Sequence, residues 1–515
     1  MLYLCFMDLK KAFDLVPRQL LFAKLEAVGV RGRILKVIKD LYWSNSACVR
    51  IGNYTTEPFC IESGVMQGSK LGPILFIIFI NDLLKQLHNA NLGVQIWNMI
   101  ISVLGFADDI ILLSQSAKNL QKLIDICAEW SKVNGMKFNI SKCKVMVLNG
   151  RKKQKTFTMD NIVLDTVKNY KYLGIKLSSK RLTSLITNHI SYIIEKAEKR
   201  INCIKHLGFH CDGLRPETSI EMYRTLVRPI LEYAGQVLTY KHHYLGKNEL
   251  TKLTEPRTDL LCKLENFQKK VLKKLIPCPK STPPALLRIM MGTAPMVGRV
   301  EMLKLRYFWR CLHTKDKTDL SRIIFEYYRK CPAKIGYVRE VFNICCKYNY
   351  LNAWVGFFKP GISPLREIRR VIEKCCFKKD LQKALKSRCL YSTLFIEPNI
   401  ANYKYYKMES FLKRMGNFPD AKSRRHYLYA LLDPCKIDRS CPKCHSTTKD
   451  IISHILGNCT KASQIRLRLR LQLLFYGVSP DFDFENKTAV FKLVMNRKII
   501  FLKTLCSFLN EIGSY

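Results

Sequence analysis

Two adjacent carboxylates, Asp108 and Asp109, stand between apolar runs, Ile100-Ile101-Ser102-Val103-Leu104 before them and Ile110-Ile111-Leu112-Leu113 after. The flanks are β-branched and aliphatic and predict two buried strands. Neighbouring side chains on an extended strand point to opposite faces, so both aspartates reach one site only at a turn. The simplest arrangement is a tight hairpin with Asp108-Asp109 at its tip. Two like charges held together on an apolar hairpin repel, and one tends to protonate. A divalent cation relieves that repulsion, and an oxygen-only ligand set favours Mg²⁺ or Mn²⁺. An Asp-Asp dipeptide is also an ordinary polar turn, and the rest of the chain decides between the two.

A third carboxylate, Asp8, ends the apolar run Leu2-Tyr3-Leu4-Cys5-Phe6-Met7. The run predicts a buried strand, whose rigid, open end suits a metal ligand, although Asp is also a common helix N-cap. Gly64-Val65-Met66-Gln67-Gly68-Ser69-Lys70-Leu71-Gly72-Pro73 combines three glycines with a glutamine and leads into an apolar helix from Pro73 to Leu87. Proline suits a first helical turn, and glycines let a backbone approach a base or sugar closely.

Further elements must hold these residues. Leu20 to Leu41 has helical spacing broken by Gly29 and Gly32, which predicts two helices, and Ala47–Ile51 and Thr55–Ile61 predict a small strand pair around Gly52-Asn53. Leu120 to Val133 reads as an amphipathic helix stopped by Gly135, Met136 to Leu148 as an alternating strand, and Tyr170 to Leu177 as another strand.

The chain has 515 residues, of which 48% are hydrophobic and 11% aromatic, so it is globular rather than disordered. Lys and Arg total 86 against 41 acidic residues, and the resulting +45 is spread along the chain. Such an excess implies a polyanionic partner, nucleic acid before membrane. The 21 cysteines are odd in number and scattered, and read as reduced thiols of an intracellular protein, nuclear or cytoplasmic. Met1 to Met7 is too short for a secretory core, and no run of 18 apolar residues exists.

Beyond residue 180, helices are expected over Leu185–Leu207, from Tyr223, and over Leu260–Ile276. The last would place Leu261, Leu264, Phe267, Val271, Leu272 and Leu275 inward and Lys269, Lys270, Lys273 and Lys274 outward. Residues 311–430 are basic and aromatic, with Tyr327-Tyr328, Tyr348, Tyr350, Trp354 and Tyr403-Lys-Tyr-Tyr-Lys serving either as core or as stacking platforms for single-stranded bases. Cys441-Pro-Lys-Cys444, His454 and Cys459 have spacings of 2, 9 and 4 residues, the composition of a closed tetrahedral Zn²⁺ site, with His445 and Cys435 as alternative ligands. Ile465 to Leu473 alternates with arginine, which favours a strand but partly fits a helix, and Phe491 to Leu509 reads as a closing helix.

The order of Asp8, the Gly-Gln-Gly loop, Phe-Ala-Asp-Asp, the Gly135–Lys144 segment and Tyr172-Leu173-Gly174 resembles the palm of the reverse transcriptases of non-LTR (LINE-type) retrotransposons. The resemblance covers about residues 1 to 180. It implies an α+β right-hand palm, an antiparallel sheet with helices, followed by a mostly helical thumb over 181–310, a basic helical region over 311–430, a zinc knuckle over 431–465 and a tail over 466–515. It implies an RNA-directed DNA polymerase that acts on dNTPs, an RNA template and a DNA primer or target DNA. Asp8, Asp108 and Asp109 fall on the catalytic aspartates, with Asp8 and Asp108 bridging two Mg²⁺ ions and Asp109 supporting. The Leu9 carbonyl would complete a metal shell, Phe13 would exclude the ribose 2′-hydroxyl, and Gln67 and Gly68 would line the nucleotide and template pocket. Lys142, or its neighbour Lys144, would be a phosphate contact or general acid, and Asp14 looks structural. Met66 departs from the family's usual Pro or Arg. Complete relatives carry fingers before the first aspartate, whereas this chain begins 7 residues before Asp8, so an N-terminally truncated form is the expectation. Two other readings share these residues: a catalytically inactive RNA- or DNA-binding fragment, and a group II intron maturase-like protein.

Overall fold

The computed structural model describes residues 1–43, 45–96, 99–148, 155–179, 182–209, 214–237, 259–276, 278–279, 281–314, 320–323, 337–350, 352, 356–357, 364–386, 439–441, 443–448, 454–456 and 459–475. Two compact units divide the chain, Met1–His189 and Ile190–Tyr515.

The first unit is built on a five-stranded sheet. Its strands are β1 (Leu2–Asp8), β2 (Val103–Phe106), β3 (Asp109–Ser114), β4 (Lys144–Leu148) and β5 (Asp165–Thr166), in the order β5-β4-β1-β3-β2. β1 is central and antiparallel to both neighbours. Its side chains alternate between two cores, which is why the run is apolar throughout. Cys5 and Met7 join the large cluster with Leu75, Phe76, Phe79, Leu120 and Leu123. Leu4 and Phe6 face the other way with Ile111 and Met146, under Tyr170, Tyr172 and Leu177.

The large cluster is closed by helices Arg18–Ala27, Gly32–Trp43, Gly72–Asn89 and Ala117–Val133. Leu75, Phe76, Phe79, Leu83 and Leu87 recur on one face at helical spacing and are fully buried. Lys24 fastens the first of these helices to the third. Its ammonium donates to the Phe79 carbonyl at 2.9 Å, pairs with Asp82 at 2.9 Å and lies over the Phe79 ring.

Three strand expectations change. Ile100–Leu104 is not one strand: Met99–Ile101 pairs with Val94–Ile96, and β2 begins at Val103 after buried Ser102. Over Met136–Leu148 only β4 is strand, because the chain first turns through a single bridge, Leu9 to Phe138. Tyr170–Leu177 is a hairpin of β6 (Asn169–Tyr172) and β7 (Ile175–Ser178), with Leu173 and Gly174 left-handed at φ 44° and 75°. Leu-Gly carries no asparagine or aspartate signal for such a turn, so the sequence reads straight through it.

The second unit is helical among its described residues, apart from the short hairpin Arg439–Ser440/Thr447–Thr448. Pro216–Met222, a wide π turn over Tyr223–Val227 and Arg228–Glu232 run on without a break. Pro229 has no N–H for the carbonyl four residues back, which accounts for the widened turn. Helix Asp259–Leu275 buries Leu261, Leu264, Phe267, Val271, Leu272 and Leu275, the six expected. Arg288 holds Asp380 through two bonds of 2.5 and 2.7 Å, and fully buried Lys304 meets Glu340 at 2.5 Å. Tyr348 is buried with its hydroxyl on Glu301 at 2.6 Å, so it serves the core. Residues 465–473, for which alternation favours a strand and the helical period fits in part, lie in helix Ser463–Phe475, which buries Leu469 and exposes Leu467 and Leu471. Tyr327, Tyr328, Trp354, Tyr403, Cys435 and the closing helix expected over 491–509 lie outside the described residues. Among the described residues no helix is long and apolar enough to cross a membrane.

Candidate active site and metal centre

β1 and β3 bring Asp8 and Asp109 directly opposite one another in register. Directly opposed residues share a sheet face, so the two carboxylates stand on the side of Leu4, Phe6 and Ile111. The β2–β3 hairpin closes with Phe106 opposite Asp109, leaving Ala107-Asp108 as the two-residue loop. Ala107 takes the left-handed conformation this loop needs, at φ 55°. The tip is thus Ala107-Asp108 rather than Asp108-Asp109, and it gathers the three carboxylates by a register pair and an adjacent turn. Their mutual repulsion is visible at Asp109, whose carboxyl is pushed up first by burial and then by Asp108 and Asp8.

Lys142 reaches Asp8 at 3.5 Å, whereas Lys144 pairs with Asp165 at 2.6 Å. Of the two lysines, Lys142 is the one at the carboxylates. The bridge between Leu9 and Phe138 is bonded through Lys10 N–H to Lys137 O and Asn139 N–H to Asp8 O. In that pattern the carbonyl of Leu9 itself points away from residue 138. Phe13 stacks on Phe76, with ring centroids 4.7 Å apart, and its carbonyl accepts from Val65 N–H. Gln67 donates its amide to Asp14 at 2.7 Å, and Gly68 is left-handed with open space where a side chain would stand. Gly64 explains the first glycine of the loop: at φ 86°, a Cβ there would lie 2.6 Å from the Asp14 carbonyl oxygen.

The roles of four positioning residues escape sequence reading. The Tyr172 hydroxyl donates to the Asp109 carbonyl at 3.2 Å, and Tyr170 stacks on Phe6 at 3.9 Å, so the Tyr-Leu-Gly hairpin braces the carboxylate strands. Cys143 accepts from Asp8 N–H at 3.4 Å. Arg18 donates to the carbonyls of Tyr42, Ile61, Ser63 and Gly64, tying helix Arg18–Ala27 to the Gly-Gln-Gly loop. Arg18→Ala is expected to destabilise the chain by about 2 kcal/mol in chemical denaturation, because several carbonyls lose a charged donor at once. Arg18→Lys, lacking the planar fork, is expected to recover less than half of it.

Removing the Asp109 charge has the opposite sign. Its acidity is weaker in the folded chain than in the unfolded one, so the ionised form costs stability. That cost is absent below the unfolded value, grows as pH rises through it, and is complete above the raised folded value. In metal-free buffer Asp109→Asn is expected to raise the melting temperature at neutral pH and to match the parent in acid. The group is largely exposed, so the gain should stay below about 1 kcal/mol.

The second cluster lies in the segment expected to form a zinc knuckle. Cys441, Cys444, His454 and Cys459 bring their ligand atoms within 4.8 Å of one another. The Cys441 and Cys459 sulfurs are 3.8 Å apart, and two thiolates at about 2.3 Å on a tetrahedral centre stand about 3.8 Å apart. Cys444 is hydrogen-bonded to Ser446 and His454, which pulls its thiol down to about 6. The hairpin Arg439–Ser440/Thr447–Thr448 carries the first two cysteines, and Arg466 of helix Ser463–Phe475 donates to the Cys459 and Ile455 carbonyls. Exposed His445 stands outside the cluster and spends its N–H on the Cys441 carbonyl. The donor set and spacing fit a metal ion.

Residues 2–177 match the family model described as reverse transcriptase (RNA-dependent DNA polymerase). The chain is 28% identical over 187 residues to the Pol polyprotein of the type-2 retrotransposable element R2DM of Drosophila melanogaster, covering 34% of this chain and 18% of that protein. It is 30% identical over 240 residues to the RNA-directed DNA polymerase of the mobile element jockey of Drosophila funebris, covering 45% and 25%. It is 27% identical over 244 residues to the Pol polyprotein of the type-1 retrotransposable element R2 of Popillia japonica, covering 45% and 38%. The matches thus span between 18% and 38% of these relatives' lengths. Over residues 2–177 the chain thus matches the reverse transcriptase family, and the relatives named here are polymerases and Pol polyproteins of retrotransposable and mobile elements.

Proposed function

We propose that the chain is an RNA-directed DNA polymerase that joins dNTPs to a primer 3′-hydroxyl on an RNA template. The observation that carries this reading is the register pair Asp8–Asp109 with Asp108 in the adjoining turn. Asp8 and Asp108 are the residues that would hold the metal pair, and the Leu9 carbonyl would add a further oxygen. When bound there, Mg²⁺ or Mn²⁺ lowers the pKa of the primer hydroxyl and neutralises charge on the triphosphate. Asp109 fixes the position of Asp8 across the sheet and adds negative charge that favours cations. Lys142, beside Asp8, lies where it can contact the triphosphate or donate a proton to the departing pyrophosphate. Phe13, stacked on Phe76, would exclude the ribose 2′-hydroxyl, and Gln67, whose amide donates to Asp14, would line the nucleotide and template pocket with Gly68.

The knuckle fits zinc, through Cys441, Cys444, His454 and Cys459. Its role is to shape a nucleic-acid-binding surface at the end of the helical region. Helices of residues 181–310 act as the thumb, where Lys269, Lys270, Lys273 and Lys274 face phosphates.

The test is primer extension on an RNA template with the purified chain, dNTPs and Mg²⁺ or Mn²⁺, beside Asp108→Asn. Extension that disappears in the variant supports polymerisation. Folded protein that binds RNA with a steep salt dependence but extends nothing identifies a binding protein instead.

A further inference from the structure

Helix Leu365–Leu385 carries a ridge that neither the polymerase site nor the knuckle uses. Positions 366, 370, 374, 378, 382 and 386 recur every fourth residue and read Arg, Arg, Lys, Lys, Gln and Lys. All six are exposed. The buried face of the helix rotates along its length, from Ile368 and Ile372 to Phe377, Leu381 and Ala384. A four-residue ridge drifts the same way around an α-helix, about 40° per step, so it stays on the surface throughout.

The acids of this helix are taken elsewhere. Asp380 is buried against Arg288, Glu373 pairs with Arg369 at 2.9 Å, and Glu367 accepts the Tyr350 hydroxyl. Among the described residues no carboxylate pairs with Arg366, Arg370, Lys374, Lys378 or Lys386. Four cations therefore stand at steps of about 6 Å, with Lys386 about 12 Å further on past Gln382, along a rigid rod of about 30 Å. No large apolar side chain of this helix is exposed, which removes what an amphipathic helix needs to enter a membrane surface.

We propose that this ridge is a docking surface for the phosphodiester backbone of a nucleic acid, read through phosphates and without base contacts. A row of cations that no carboxylate pairs with suits an extended polyanion, and counterion release supplies the affinity. The choice of nucleic acid over other polyanions rests on the polymerase reading, whereas the charge row itself does not.

The experiment measures binding of the full chain to an RNA–DNA hybrid of 30 base pairs, to single-stranded RNA and to phosphatidylserine vesicles, across a salt series. The variant replaces Arg366, Arg370, Lys374, Lys378 and Lys386 by Gln. A control neutralises five other exposed cations, Arg33, Lys36, Lys85, Lys118 and Lys122, to the same net charge. Each phosphate contact contributes about 0.9 to the log–log salt slope on a duplex and about 0.7 on a single strand. The ridge variant is expected to lose about 4 units of slope on the hybrid, or about 3 on the single strand, and at least about tenfold in affinity at physiological salt. The arm whose loss reaches its own expected value identifies the strand form. The control should change little. Equal loss in variant and control, no loss on either nucleic acid, or loss confined to the vesicles would overturn the proposal. Asp108→Asn should keep ridge-dependent binding, so failure of the polymerase reading leaves this test intact.

Discussion

Asp108→Asn is expected to reduce dNTP incorporation by at least about 10³-fold while RNA affinity changes by less than about twofold. Asparagine keeps the volume and the hairpin loop but gives up the charge that holds a cation. The lost stabilisation is of the order of 4 kcal/mol, and each 1.36 kcal/mol is a factor of ten in rate. On the proposed reading, template affinity would draw on the charge excess of +45, against which one carboxylate counts for little. Asp8→Asn should fall to a similar level, and the double variant should be no slower than either alone, because the two act as one unit. Incorporation by Asp108→Asn within tenfold of the parent would remove this turn from the chemistry.

Much of this site is legible in the sequence because its geometry is local. A two-residue hairpin loop fixes Asp108 beside Asp109 within a few positions, and Gly64, Gly68 and Gly72 announce an unusual loop. Asp8 is legible as a strand end, although its partner across the sheet lies about a hundred residues away and only the pairing shows it. What sequence reading misses is contact between segments of unrelated spacing. Tyr172 reaches the Asp109 carbonyl from 63 residues on, and Arg18 gathers carbonyls from 24 to 46 residues away. A side chain that meets main-chain atoms leaves no complementary residue to look for.

Segment 465–473 shows the other limit. Alternation of Arg with Leu or Ile satisfies a strand, yet helix Ser463–Phe475 satisfies the knuckle, because it places Arg466 on the Cys459 and Ile455 carbonyls and Leu469 in the core. Two exposed leucines are the consequence. Tertiary context overrides a period when the segment is short and its polar residue is long enough to reach inward.

Cys459→Ser is expected to abolish stoichiometric zinc binding and to unfold the knuckle while leaving the palm folded. Cys459 is fully buried at the centre of the cluster, and its N–H and carbonyl engage His454 and Arg466. Structural zinc contributes about 10 kcal/mol or more of apparent binding free energy, far beyond what the short hairpin and single helical turn hold without it. His445→Ala should leave zinc content near one per chain, since His445 stands exposed outside the cluster. Zinc measured by atomic emission on the purified proteins separates the two, and proteolysis locates the change. Cleavage should appear in residues 439–475 of Cys459→Ser and not in residues 1–177. A Cys459→Ser protein that keeps one zinc per chain would assign the metal to other ligands and leave this cluster as a hydrogen-bonded clip.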